Sequence, residues 1–338
     1  MAVRIRRCRF IGEGLFLQDN YRREINYLRV SVTDRCNLRC RYCLPPEGVP
    51  LSPHAEILRL EEIYRVVRAS TLVGVRKVRL TGGEPLIRQG LVRLVAMLSD
   101  IPEIDDLALT TNGVLLASHV QELKDEGLRR VNISLDTLKP ERYHWVTRGG
   151  VLGDVWRGID AALTHKLHPV KLNTVVIRGF NEDEVVDLAQ LTLRLPVHLR
   201  FIELMPFGPA KEWAEGGFVP TVEVRDRLET TFGSLTEVQK PTGSGPATYY
   251  RIGEAPGTIG FISGVSEHIC SRCNRLRLTA AGRLKPCLFG DGELDIKGPL
   301  RGGAGLEELA ELIAKAIRRK SKQKSMPAMP GVMSRIGG

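Results

Sequence analysis

The chain has no apolar run long enough to span a bilayer, which excludes a transmembrane helix. Met1 to Phe10 are rich in arginine, yet they lack an apolar core and a small-residue cleavage site, so they do not read as a secretory signal. A mitochondrial presequence fits poorly as well, because Glu13, Asp19 and Glu24 follow closely and such presequences are short of acids. No GxGxxG turn follows the first strand-like segment, so the dinucleotide-binding fingerprint is missing. A disulfide framework is missing too. The seven cysteines fall as Cys8 alone, then Cys36, Cys40 and Cys43, then Cys270, Cys273 and Cys287. An odd total in two tight triplets suits two metal sites in a reducing compartment, with Cys8 spare.

What is present is a soluble, globular composition. Over 338 residues, 43% are hydrophobic and 26% charged, enough for a sizeable core in one large domain or two ordinary ones. The formal net charge of +10 admits a solvated basic surface, an anionic substrate or a nucleic acid. Much of the excess lies in Arg4 to Arg9 and Arg318 to Lys324, as solvated end segments would show. Arg29, Arg79 and Arg200 differ, because each sits among apolar strand residues and must snorkel or meet an anion.

Residues 1–20 read as a leader. After it, strand-like runs recur at Tyr27–Val32, Lys77–Leu80, Asp106–Thr110, Arg130–Leu135, Lys171–Ile177 and His198–Leu204. Between them apolar residues stand three and four apart, as at Ile63, Val66 and Val67 or Leu91, Leu94, Val95 and Leu98. Six βα units imply an α/β fold with a parallel sheet, either a partial (βα)6 barrel of the TIM type or an open doubly wound sheet. Polar or glycine-rich motifs end several strands, which favours the barrel over residues 21–206. Beyond residue 207 the rhythm changes to glycine- and proline-rich stretches, short strands at Thr248–Ile252 and Thr258–Ile262, a helix over Leu306–Lys320 and a tail ending in Gly337 and Gly338. Residues 207–338 are expected to form a smaller region covering the open side of the barrel.

Three constellations carry chemistry. Cys36, Cys40 and Cys43 form a C-x3-C-x2-C run just after the first strand, able to hold three irons of a [4Fe–4S] cubane and leave the fourth open. A zinc site completed by His54 is the alternative. Thr81-Gly82-Gly83-Glu84-Pro85 follows the second strand, where glycines let backbone approach a ligand closely. Cys270, Cys273 and Cys287 make a second triplet with arginines at 272, 275 and 277, which suit an anionic cluster; a zinc completed by His268 is the alternative.

The first motif, with Tyr42 just before its last cysteine, resembles the radical S-adenosylmethionine (SAM) superfamily. That resemblance implies an open iron binding the methionyl group of SAM and cleavage to a 5′-deoxyadenosyl radical. It implies SAM contacts at Tyr42, Gly83, Ser134 and Met205. The ordered set LRVSVTDRCNLRCRYCLP, VRLTGGEPLIR, LTTNG, LRRVNISLDTL, RFIELMP, CSRCNRLRLTAAGRLKPCLF and a terminal Gly-Gly is similar, within that superfamily, to the MoaA family of GTP 3′,8-cyclases of molybdenum cofactor biosynthesis. This second resemblance runs from about Leu28 to Gly338. It implies a second [4Fe–4S] cluster on Cys270, Cys273 and Cys287, facing the guanine of GTP. It implies GTP contacts at Arg29, Arg79, Thr110, Lys171, Arg200, Arg275, Leu276 and Arg277, with Arg275, Arg277, Gly337 and Gly338 supporting catalysis. The implied product, 3′,8-cyclo-7,8-dihydro-GTP, passes to cyclic pyranopterin monophosphate synthase (MoaC). An electron donor, a homodimer and a cytoplasmic location complete the expectation, with no membrane or nucleic-acid partner. Two rival readings stand beside it: a peptide-modifying radical SAM enzyme with an auxiliary cluster, and a zinc-bearing nucleic-acid-binding protein favoured by the net charge.

Overall fold

A computed structural model describes residues 18–239, 241, 245–267, 269–290 and 292–322. Cys8, His268, Gly337 and Gly338 lie outside the described residues.

Six strands alternate with helices: β1 (Tyr27–Ser31), α1 (Leu60–Thr71), β2 (Lys77–Thr81), α2 (Leu91–Ser99), β3 (Asp106–Thr111), α3 (Leu116–Asp125), β4 (Arg130–Ser134), α4 (Pro140–Thr147), α5 (Leu152–Thr164), β5 (Val170–Val176), α6 (Val185–Arg194) and β6 (Val197–Glu203). There follow α7 (Ala210–Gly217), α8 (Thr221–Phe232), β7 (Thr236–Val238), β8 (Thr248–Arg251), β9 (Thr258–Ile262), β10 (Arg275–Leu278), β11 (Arg283–Lys285), β12 (Leu294–Asp295), α9 (Lys297–Arg301) and α10 (Leu306–Arg318). Strands β1 to β6 pair in order and in parallel.

Alternation along the strands explains the layering. Leu28 and Val30, Val78 and Leu80, Leu107 and Leu109, Val131 and Ile133 all join the main apolar core with residues of α1, α2, α3 and α5, such as Ile63, Val66, Leu94, Leu116 and Ile159. On the alternate positions stand Arg29, Arg79, Thr110 and Asn132, and these four face inward onto one cavity. Barrel interiors are ordinarily filled by layers of branched apolar side chains. This one is lined with guanidiniums and amides, and so is built around a polar ligand.

The region after residue 207 does more than cover an opening. Strand β10 pairs in parallel with β1, and β9 pairs in parallel with β6, so both edges of the six-stranded sheet are extended. Strands β11 and β12 continue one side and β8 and β7 the other, all antiparallel. Two helical segments differ from the sequence reading. Gly208 to Pro220 reads as irregular, yet it holds α7, whose Ala210, Trp213 and Ala214 pack on Val146, Ile177, Phe180 and Leu204. The expected helix over Leu306–Lys320 ends at Arg318, which frees Lys320 for other work.

The seam between β6 and β9 carries a pH-sensitive group. His198 Nδ1 lies 2.7 Å from Thr258 Oγ1. Burial, reinforced by Lys171, Arg200 and Arg251, brings its pKa down to about 4. The unfolded chain takes up this proton near pH 6.5 while the native fold does not, so its contribution is intact above pH 6.5 and is lost as pH falls toward 4. His198→Gln is expected to flatten the fall in stability between those values by about 1 kcal/mol or more, read by urea unfolding. Parallel pH slopes for parent and variant would exclude this assignment.

Candidate active site

Two adjoining cavities open at the C-terminal ends of the strands. The larger, about 300 Å³, takes Tyr27 and Arg29 from β1, Arg79 from β2, Thr110 from β3, Asn132 and Ser134 from β4, Asn173 from β5 and Arg200 from β6. Arg275 and Arg277 of β10 complete its wall, together with Met205, Cys270, Cys273, Cys287 and Lys320. That one cavity touches every strand from β1 to β6 shows that the sheet curls around it. The smaller, about 160 Å³, lies under the first cysteine loop and is lined by Cys36, Cys40, Cys43, Gly82, Gly83 and Asn112. Tyr42, Cys43, Thr110, Ser134 and Asp136 line both.

The larger cavity is strongly cationic. Arg29 Nε, Arg79 Nε and Nη2 and Arg200 Nε are buried with no hydrogen-bond partner among the described residues, as is the Tyr27 hydroxyl. Burial, then crowding by Arg130 and Arg200, lowers Arg79 to about 10. Burial and Arg275 lower Arg277 to about 10 as well, and burial with Arg277 pulls Arg29 well below its usual value. Unpaired buried donors of one sign are costly, and an anion would relieve them together. Lys171, assigned to GTP by resemblance, is buried but lines neither cavity, with Nζ 5.7 Å from the Tyr249 ring centroid. The Leu276 side chain lies on the opposite face of β10 from Arg275 and Arg277 and belongs to the apolar core, so any nucleotide contact it makes runs through its backbone.

The smaller cavity is held by backbone-to-backbone contact. Gly83 N donates to Thr33 O at 2.8 Å and Glu84 N to Arg35 O at 2.7 Å, tying the glycine turn to the start of the cysteine loop. A Cβ on Gly83 would sit 2.1 Å from Arg35 O. The glycine is thus required by the cysteine loop itself as well as by a ligand. Gly83→Ala is expected to push the two segments apart and weaken SAM binding about tenfold or more, measured by equilibrium dialysis; unchanged affinity would show that the turn tolerates the methyl. Below the turn, Glu84 accepts from Thr111 Oγ1 at 2.7 Å, Asn112 N at 2.7 Å and Leu86 N at 3.0 Å. Burial raises Glu84 to about 7 against those three donors. Tyr42 donates to Asp136 Oδ2 at 2.6 Å, and burial raises Asp136 to about 6.

The cysteines suit iron. Burial raises the Cys36 thiol; burial and the neighbouring Cys43, Asp136 and Cys36 hold the Cys40 thiol well above its ordinary range. Such thiols ionise together only around a cation, and all three line one cavity. His54 is exposed in a short turn and does not line that cavity, so the zinc alternative is not formed there. In the second triplet, burial raises Cys273, but Arg275 and Lys320 outweigh it and bring the thiol to about 6.

Tyr27, Asn132, Asn173 and Asp136 were not singled out from the sequence. The first three share the two-residue period of Arg29, Ser134 and Lys171, and that period was the signal available.

A curled parallel sheet with a C-x3-C-x2-C loop after its first strand and a GGEP turn after its second defines a radical SAM enzyme. The profile of the radical SAM superfamily matches residues 30–192, and that of Molybdenum Cofactor Synthesis C matches residues 197–326. A GTP 3′,8-cyclase of Pelotomaculum thermopropionicum is 59% identical over 95% of this chain and 100% of its own length. One from Desulforamulus reducens is 55% identical over 95% and 99%. The chain belongs to the GTP 3′,8-cyclase family. Among solved structures, that of Streptococcus suis SuiB bound to S-adenosylmethionine superposes with a TM-score of 0.58 at 14% identity, covering 91% of this chain and 78% of that one; this likeness concerns the fold. The family relation sets aside the peptide-modifying and nucleic-acid readings. Membership implies one [4Fe–4S] cluster and SAM. Among the described residues no helix is long and apolar enough to cross a membrane.

Proposed function

We propose that the two cavities divide the work of a GTP 3′,8-cyclase between SAM and GTP. The enzyme converts GTP to (8S)-3′,8-cyclo-7,8-dihydroguanosine 5′-triphosphate, the first step of molybdenum cofactor biosynthesis. Bound at Cys36, Cys40 and Cys43, a [4Fe–4S] cluster with SAM supplies a carbon-centred radical able to take a hydrogen atom from a sugar C–H bond. Gly83 and Ser134 line the SAM cavity, Tyr42 stands where the cavities meet, and Met205 lines the larger cavity.

The observation that carries the GTP assignment is the set of unpartnered buried guanidinium nitrogens on Arg29, Arg79 and Arg200. A triphosphate satisfies them from several strands at once, and Thr110, Arg275 and Arg277 extend the same cradle, while Lys171 is carried as a GTP contact by the family relation alone. Such a cradle would orient the sugar and base of GTP for reaction and keep water away. Arg275 and Arg277 supply positive potential where the ring accepts an electron. Cys270, Cys273 and Cys287 hold a second [4Fe–4S] cluster, whose anionic character is matched by Arg275, Arg277 and Lys320. Residues 1–20, 21–206 and 207–338 serve as leader, SAM barrel and GTP-side region. Gly337 and Gly338, an electron donor, a homodimer and hand-over of product to cyclic pyranopterin monophosphate synthase are carried by the family relation.

Anaerobic purification tests this reading. It requires about eight irons per chain, shared between two clusters. Incubation with SAM, GTP and a strong reductant must give 5′-deoxyadenosine in amounts that depend on GTP. Zinc in place of iron, or 5′-deoxyadenosine indifferent to GTP, would sink it.

A further inference from the structure

The segment just ahead of β1 belongs to no cysteine motif, yet it reaches the second triplet. Gln18 and Glu24 form an antiparallel bridge that closes a small hairpin, with Arg22 in the left-handed region at φ 62°. Inside it the buried Asp19 accepts from Tyr21 N at 2.9 Å and Arg23 N at 3.0 Å, and its second oxygen takes Arg23 Nε at 2.6 Å. The carboxylate therefore aims the guanidinium. Arg23 Nη1 donates to Cys270 O at 2.6 Å and Nη2 to Ser321 O at 2.7 Å. Asn20 Nδ2 adds a bond to Arg318 O at 2.9 Å.

The next residue along, Lys320, does the complementary job. Only 3% exposed, it donates to Arg275 O at 2.9 Å and to Pro286 O at 2.7 Å, and it lines the same cavity as Cys270, Cys273 and Cys287. Between them, two neighbouring points after α10 are fastened to the Cys270 carbonyl, to the Arg275 carbonyl two residues after Cys273 and to the peptide preceding Cys287. A buried guanidinium and a buried ammonium that each spend a bond on the backbone of the three-cysteine site are an expensive way to secure a mere helix end.

We propose that Arg23, aimed by Asp19, and Lys320 are positioning residues that hold Cys270, Cys273 and Cys287 in one geometry, so that the hairpin over residues 18–24 is a working part of the active site. This rests on the reading that the second triplet binds a cluster. Lys320 additionally sets that cluster's electronics, because a buried positive charge lining the same cavity as the three cysteines raises a cluster's reduction potential.

Full-length Arg23→Lys, Lys320→Met and Lys320→Arg proteins, purified anaerobically beside the parent, test the proposal. Iron and sulfide are counted, and the second cluster's midpoint potential and paramagnetic resonance spectrum are recorded with and without GTP. Arg23→Lys lacks the planar fork that pairs with Asp19 through Nε while Nη1 and Nη2 reach two carbonyls, and is expected to lose at least half of the second-site iron. Lys320→Met is expected to shift the second cluster's potential negative and alter its GTP-induced spectrum, with Lys320→Arg restoring part of both. The first cluster should keep its iron and its SAM cleavage. Full iron, parental potential and a parental GTP response in both Arg23→Lys and Lys320→Met overturn the proposal, as does a loss of melting temperature alone. Should Arg23→Lys fail to accumulate, Asp19→Asn decides the point, since a parental second-cluster spectrum in that variant also overturns it. The underlying reading fails separately: a parent with about four irons per chain, unchanged when the three cysteines are replaced, has no second cluster to position.

Discussion

Cys40→Ala is expected to abolish SAM cleavage outright, while leaving GTP binding within about twofold of the parent. Cys40 stands at the centre of its loop: its carbonyl accepts from the amides of both Cys43 and Leu44 at 2.9 Å, which folds the chain back so that three thiols face one cavity. Its own thiol is pushed well above its ordinary range by burial and by Cys43, Asp136 and Cys36. A cation shared with the other two thiols is what relieves that burden, so a methyl group in its place removes a ligand that no neighbour replaces. The GTP cavity shares only Cys43 with this triplet, which is why nucleotide affinity should survive. Iron content should fall by about half, and 5′-deoxyadenosine should fall below detection in chromatographic assays with reductant. Residual SAM cleavage above a few per cent of the parent would place the chemistry elsewhere.

Arg130→Met is expected to cost about 3–5 kcal/mol of stability, enough to leave much of the chain unfolded at physiological temperature. Arg130 grips Asp106 with Nε to Oδ1 at 2.6 Å and Nη2 to Oδ2 at 2.5 Å, across the neighbouring strands β3 and β4. Its side chain is 1% exposed and that of Asp106 is 9% exposed. Burial raises the Asp106 carboxyl, but the Arg130 bonds outweigh it and hold the group below its ordinary value. Methionine fills the space and strands a buried carboxylate. Asp106→Leu combined with Arg130→Met should recover most of the loss, because removing both charges is far cheaper than removing one. Urea titration of the single and double variants measures this, and equal stability for parent and single variant would show the pair to be dispensable. The sign with pH also follows: a depressed carboxylate contributes above its unfolded pKa of about 3.9 and ceases to do so as pH falls through its folded value, so Asp106→Asn should show a shallower acid limb.

Much of this was legible because strands advertise themselves by period. The six central strands were placed within a residue or so of their ends, since each alternates an apolar residue for the helices with a polar one for the interior. The cysteine triplets and the glycine turn were legible because ligand spacing is local. What could not be read is whatever pairs across distance. Strand β10 is four residues of alternating arginine and leucine, too short to signal a strand until β1 lies beside it. Helix α7 forms in a glycine- and proline-rich stretch because Trp213 and Ala214 find Phe180 and Val146. Lys320 reads as part of a solvated end segment and Arg23 belongs to no motif, because their carbonyl partners are visible only in three dimensions. Leu276 was swept into the site with its neighbours, although the same alternation turns it away.

The parallel seams β1–β10 and β6–β9 also impose an order of events on synthesis. A nascent chain can complete the six-stranded sheet when about 200 residues have emerged, but its two outer strands then present open rows of amides and carbonyls. Both rows stay open until residues 258–278 leave the ribosome. The second half of this protein thus acts on the first as a pair of edge guards that arrive late, and a chain released before them carries two adhesive borders.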